Sequence, residues 1–321
     1  MGFALDSANK YGLKVMIDLH GAPRSQNGFD NSGRRGSIQW TQGDSVSQTI
    51  VALNKLRDDF SYHPALASIE LLNEPFGPNL DMNVVRQFYM DGWGNLRDTQ
   101  QAIGFHDAFI GVNSWNDWGS GMANLLLDTH HYEIFDNNAV KMGINEHIST
   151  ACGFGASMAT NNKWTIAGEW TGAQTDCAKW LNGRGVGARY DGTFGQGSSY
   201  VGSCDGKYVG TVDGLGEADR NNIRSYIQAQ MVGFEKAAGW IFWTWRTESS
   251  PEWDFKALVE GGIIAQPLDA FGKYPDGVDD RNNNFASADR TSRDRPKHLR
   301  VRMHLAAHHL TTQPHDFYDL K

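Results

Sequence analysis

No run of 18 or more apolar residues occurs in the 321-residue chain, so no segment is long and apolar enough to cross a bilayer as a helix. Its first residues, Met1-Gly2-Phe3 leading into Ala4-Leu5-Asp6, offer neither a basic n-region nor an apolar h-region, and no signal peptide is read there. Cysteine is scarce. Cys152, Cys177 and Cys204 have no Cys-x-x-Cys spacing, which argues against a zinc framework, and three thiols allow at most one disulfide. Positive charge is not in excess either: 29 Lys and Arg face 37 Asp and Glu, for a net charge of −8, which disfavours general affinity for nucleic acid phosphates. No glycine-rich phosphate loop follows any expected strand, which weakens a nucleotide-binding reading.

Tryptophan and glycine are abundant, at 11 and 36 residues, and many of the indoles sit beside Gly, Asn or Asp rather than in amphipathic stripes. Most belong to a core; a few suit stacking on sugar rings, whose apolar faces match an indole. Short apolar runs at 14–20, 68–73, 104–109, 124–130, 164–169 and 239–245 read as strands. Helical patterns at 45–60, 82–97, 144–156, 176–182 and 219–238 lie between them. Apolar strands alternating with helices imply an α/β fold with a parallel sheet covered on both faces. Six strands fit either an open doubly wound sheet or most of a barrel.

Polar groups able to do chemistry gather at the ends of these strands. The first ends in Asp18-Leu19-His20-Gly21, the second in Asn73-Glu74-Pro75, a later one in Asp128-Thr129-His130-His131-Tyr132, and another in Gly168-Glu169-Trp170. In a βα barrel all carboxyl-terminal strand ends open on one face, where active sites lie. Glu74 and Glu169, three βα steps apart, would face each other across that mouth. Two facing carboxyl groups, one protonated and one ionised, are what glycosidic cleavage requires. Glu248 follows the last strand and reads as a loop or rim residue. The His-rich stretch with His304, His308 and His309 lacks a carboxylate or cysteine partner nearby, and no metal site is expected there.

Asn73-Glu74-Pro75 and Ala167-Gly168-Glu169-Trp170 resemble the catalytic strand ends of glycoside hydrolase family 5, and in particular of its fungal exo-β-1,3-glucanase group. Further motifs similar to that group are Asp18-Leu19-His20-Gly21-Ala22-Pro23, Ser25-Gln26-Asn27-Gly28-Phe29-Asp30-Asn31-Ser32-Gly33, Thr175-Asp176-Cys177-Ala178-Lys179-Trp180-Leu181-Asn182-Gly183 and Trp243-Thr244-Trp245-Arg246-Thr247-Glu248. The likeness runs from about residue 1 to about Tyr274. It implies a (β/α)8 TIM barrel with Glu74 as acid/base and Glu169 as nucleophile, their carboxyl groups roughly 5 Å apart as in retaining enzymes. It further implies that Asn73 binds the 2-hydroxyl, that His130 and Tyr132 hold the glutamates, that His20 contacts the same sugar and that Trp243 floors it. Phe29 and Phe135 would clamp the next sugar.

The implied activity is retaining release of glucose from the ends of β-1,3-glucan, with no cofactor or metal. The rivals are an inactive carbohydrate-binding relic and a β-1,4-glucanase or mannanase of the same family. The first strand matches the family's third, so the resemblance implies an incomplete barrel over residues 1–275, with family strands 1 and 2 missing, free strand edges and little turnover by this chain alone. Residues 276–321 would be a disordered or non-homologous tail. The family pattern also implies a Cys177–Cys204 disulfide with Cys152 left over, an extracellular or cell-wall location, since such bonds form on the oxidising secretory route, and a monomer with no nucleic acid or membrane partner.

Overall fold

The computed structural model describes residues 1–268. Helix α1 (Gly2–Lys10) precedes β1 (Val15–Asp18), and α2 (Ser45–Phe60), β2 (Leu66–Glu70), α3 (Met82–Leu96) and β3 (Ala102–His106) follow. Next come β4 (Leu125–His131), α4 (Ile144–Thr160), β5 (Trp164–Trp170), α5 (Glu217–Phe234), β6 (Gly239–Trp240) and the short α6 (Phe255–Glu260). All strands are parallel, in the order β1-β2-β3-β4-β5-β6. Among the described residues β1 pairs only with β2 and β6 only with β5, so the sheet forms a parallel half-barrel.

Side chains alternate between two environments, as the strand period requires. Met16, Leu126, Ile166 and Ile241 meet on the inner side of the sheet. Their neighbours Ile17, Ile69, Ile103, Phe105 and Leu127 face outward, against Leu5 of α1, Leu53 of α2 and Val85, Phe88 and Tyr89 of α3. Ala167 and Trp170 face Met158 of α4 and Ile223, Ile227, Met231 and Phe234 of α5. The helices start where the local chemistry allows. Asp81 accepts the Asn83 amide at 2.9 Å ahead of α3, and Asp254 accepts that of Ala257 at 2.8 Å ahead of α6.

Helices α4 and α5 approach closely through Gly155 and Gly233. A Cβ on Gly155 would stand 2.6 Å from the Gly233 carbonyl carbon. The Gly155→Val variant is therefore expected to lose about 1–3 kcal/mol of stability through overpacking, read from its urea midpoint.

One expected element is absent. Residues 176–182 form turns, not a helix. The Asp176 carboxylate takes the backbone amides of Arg189 (2.8 Å) and Tyr190 (3.0 Å) and the Asn182 side chain (2.9 Å), which folds the segment back on itself. Trp180 there has φ of 70°, outside the helical region. The expected strand over 239–245 is shortened to two residues, because Trp243 and Thr244 hydrogen-bond irregularly to Trp170 and Trp253. The expected tail, 276–321, lies outside the described residues.

Candidate active site

Glu74 stands four residues beyond the end of β2, in a turn that gives it φ of 44°. A non-glycine residue in that region costs on the order of 1–3 kcal/mol and persists only where its surroundings hold it. Those surroundings are visible. Asn31 Nδ2 donates to Oε2 at 2.6 Å, and His130 Nδ1 pairs with Oε1 at 2.6 Å. The same His130 nitrogen is 3.5 Å from Oε2 of Glu169. The two carboxyl groups therefore approach each other across one imidazole nitrogen. Tyr132 OH donates to the same Glu169 oxygen at 2.7 Å. Glu74, His130, Tyr132 and Glu169, from the ends of three strands, thus converge at one point.

The electrostatics of this group are uneven. Burial would raise Glu74, but the charge and hydrogen bond of His130, with help from His106 and Asn31, bring it down to about 2. Burial raises Glu169 to about 7, since the pull of His130 is offset by the charge of Glu74 and only partly reinforced by His20 and Tyr132. Burial opposes the charge on His130, yet Glu169 and Glu74 hold its proton far above the usual imidazole range. In the described surroundings Glu74 is therefore the readily ionised carboxyl and Glu169 the proton-retaining one. This is the reverse of the resting order that an acid at Glu74 and a nucleophile at Glu169 would show. The proton that an acid would need is nevertheless adjacent, on His130 Nδ1. Among the described residues no lysine or arginine forms an ion pair with Glu169.

Of the other residues expected at the site, His20 feels the charges of Glu169 and Glu74. His20 Nδ1 pairs with Asp18 Oδ2 at 2.7 Å and its ring stacks on Trp243 at 6.0 Å with an interplanar angle of 10°. Asn73 is buried; its backbone is tied to Leu19 and Gln26, and its side-chain Nδ2 has no hydrogen-bond partner among the described residues. Phe135 packs edge-on against Tyr132 at 5.4 Å and is 44% exposed. Phe29 is 40% exposed and lines a cavity of about 440 Å³ with Asn27, Phe76 and Asn79. Glu248 lines a different cavity, of about 240 Å³, with Arg246, Asp254 and Lys256. Cys177 and Cys204 are joined in a disulfide with Cα atoms 5.3 Å apart, and Cys152 is free.

Sequence reading did not single out Asn31, His106, Glu70 or Asp128 as site residues. His106 is fully buried and edge-on to His130 at 4.5 Å. Glu74, His106 and His130 offer ligand atoms within 4.8 Å of one another, a spacing that could suit a metal ion. The donor chemistry does not suit one. The Ala108 amide donates to His106 Nδ1 at 3.0 Å, which leaves that ring's proton on Nε2, and His130 Nδ1 is already engaged with Glu74.

A further buried carboxyl, Glu252, accepts from Thr175 Oγ1 at 2.9 Å and is pushed up to about 7 by burial, against the partial pull of Lys207. Between its ordinary 4.5 and 7 the folded chain keeps a proton that the unfolded chain has lost, so stability falls as pH rises through that window. The loss by pH 8 is on the order of 3 kcal/mol. Glu252→Gln stays neutral and should remove this decline. Urea midpoints of both proteins at pH 5 and pH 8 check it.

No protein-family model matches the chain. It is 51% identical over 273 residues to a glucan 1,3-beta-glucosidase of Blumeria graminis, an alignment covering 83% of this chain and 64% of that relative. It is 45% identical over 278 residues to a glucan 1,3-beta-glucosidase of Pichia angusta, with 83% and 64% covered. It is 44% identical over 280 residues to a probable glucan 1,3-beta-glucosidase A of Aspergillus terreus, with 85% and 66% covered. The chain thus spans just under two thirds of the length of these relatives. Among solved structures, a rutinosidase from Aspergillus niger superposes with a TM-score of 0.54 at 15% identity, over 80% of this chain and 68% of that one, a likeness of fold. With identities of 44–51% over more than four fifths of its own length, the chain is similar to fungal glucan 1,3-beta-glucosidases.

Proposed function

We propose that the protein is a retaining glycoside hydrolase that releases glucose from the ends of β-1,3-glucan chains. One observation carries the reading: Glu74 and Glu169 meet at a single His130 nitrogen, at 2.6 and 3.5 Å, which supports the closely facing carboxyl pair of a retaining mechanism. Glu169, oriented by Tyr132, attacks the anomeric carbon. Glu74 protonates the leaving oxygen with the proton that rests on His130 Nδ1, and then deprotonates the water that releases the sugar. Asn73 Nδ2, buried and without a partner among the described residues, is the donor for the 2-hydroxyl. His20 and Trp243 bind the reacting sugar, and Phe29 and Phe135 hold the next one. The curated relatives' names support the β-1,3 linkage.

We read the six strands as the third to eighth of an eight-stranded barrel, with the first two missing and the outer edges of β1 and β6 left free among the described residues. The disulfide fits an extracellular or cell-wall location, and the working form is a monomer. Product analysis tests the function. Incubation of the full-length protein with laminarin should yield glucose alone, appearing first as the β-anomer by NMR. A ladder of oligosaccharides would mean internal cleavage, release from β-1,4-glucan or mannan would move the specificity, and absence of any product would favour a binding relic.

A further inference from the structure

Strict alternation along β5 turns Glu169 the wrong way. Ile166 faces the inner side with Met16 and Leu126, whereas Ala167 packs among the helices. Continuing the period of two would put residue 168 inward, Glu169 outward and Trp170 inward. Trp170 instead packs outward with Phe234, and Glu169 faces inward to Tyr132. The pairing of β4 with β5 shows why. Thr129 is opposite Ala167 and His130 is opposite Glu169, so Gly168 is an extra residue on β5, a β-bulge.

The bulge is filled by Asp128. Its Oδ1 accepts the Gly168 amide at 2.7 Å, and a Cβ on Gly168 would collide with its carboxyl group. The other oxygen, Oδ2, lies 3.5 Å from Nε2 of His130, the ring whose Nδ1 meets Glu74. Asp128 also hydrogen-bonds Glu70, on the strand that leads to Glu74. Burial and the charges of Asp128 and Asp18 keep Glu70 protonated, so Glu70 is the donor of that bond. One carboxylate, 3% exposed, therefore ties together β2, β4 and β5, which deliver Glu74, His130 and Glu169.

We propose that Asp128 is a positioning residue: by capping the Gly168 bulge and holding the His130 ring, it aims Glu169 at Glu74. This rests on the hydrolase reading for its kinetic consequence, but not for its geometry. In the full-length protein, Asp128→Asn keeps an acceptor for Gly168 but sets an amide N–H toward His130 or Glu70. Labelling of Glu169 by a 2-deoxy-2-fluoroglucosyl fluoride, in which the carboxylate displaces fluoride and forms the glycosyl ester, should slow about 100-fold, the effect of misplacing a reacting group by about 1 Å. For turnover, kcat should fall by a similar factor with KM little changed and the thermal midpoint within a few degrees.

Asp128→Ala with Gly168→Ala separates aiming from filling. If Asp128 only occupies space, the new methyl group replaces it and labelling returns to the unsubstituted rate, which would overturn the proposal. If it aims, labelling stays slow. A crystal structure of D128N decides the geometry even where no labelling occurs in the unsubstituted protein, an outcome that would count against the hydrolase reading alone. A Glu169 carboxyl turned away from Tyr132 supports the proposal. An unchanged 2.7 Å Tyr132–Glu169 bond and an unchanged His130 ring would refute it.

Discussion

Replacing Glu169 by Ala in the full-length protein is expected to lower kcat about 10⁴- to 10⁶-fold, as removal of one member of a covalent-catalysis unit does. No leaving group should soften the loss, because every substrate needs the nucleophile. Glu74→Ala should behave differently. General acid–base assistance is worth about 10²–10⁴-fold, so the loss should be that large on laminarin and much smaller on an aryl glucoside whose phenolate leaves unprotonated. Azide should then accelerate the second step, since it attacks the glycosyl-enzyme without a base, and the product should be the β-glucosyl azide. The charge pattern makes this comparison informative. Glu74 sits at about 2 and Glu169 at about 7, opposite to the resting order that these roles suggest. If the Glu169 variant proves sensitive to leaving group and azide while the Glu74 variant is silent on all substrates, the two roles are exchanged.

Trp170→Ala is expected to cost about 3–5 kcal/mol, which is a large share of the stability of an ordinary domain. Its indole is fully buried, with ring centroids 4.8 Å from Phe242, 5.2 Å from Trp240 and 5.7 Å from Phe234, all edge-on. Such aromatic pairs add about 0.5–1.5 kcal/mol each beyond the area they bury. Trp170→Phe keeps a ring in that space and should lose markedly less. Urea midpoints of the three proteins measure the difference. A loss below about 1 kcal/mol for the alanine variant would mean that the layer between β5 and α5 is not packed as described.

Much of the architecture was legible because apolar periodicity is a local property. The helix expected at 45–60 matches α2, and six apolar runs correspond to six parallel strands. Polar residues at several strand ends pointed to a shared face, because a parallel sheet brings those ends together whatever the details of its packing. The helix expected at 176–182 failed for an equally physical reason. Its residues have partners at 187–190, beyond any local window, and the Asp176 carboxylate collects them into a turn.

The sequence by itself offered the candidates for the chemistry: two glutamates, a histidine and a tyrosine, each at or just past the end of an apolar run. Only the tertiary structure decided which way they point. Counting by twos along β5 turns Glu169 toward the helices. The bulge at Gly168 reverses it, and that bulge depends on a carboxylate 40 residues earlier in the chain. Asn31 reaches Glu74 from 43 residues away and His130 from 56. The direction of a side chain at a strand end follows from hydrogen bonds made across the sheet, and these connect residues that no local pattern brings together.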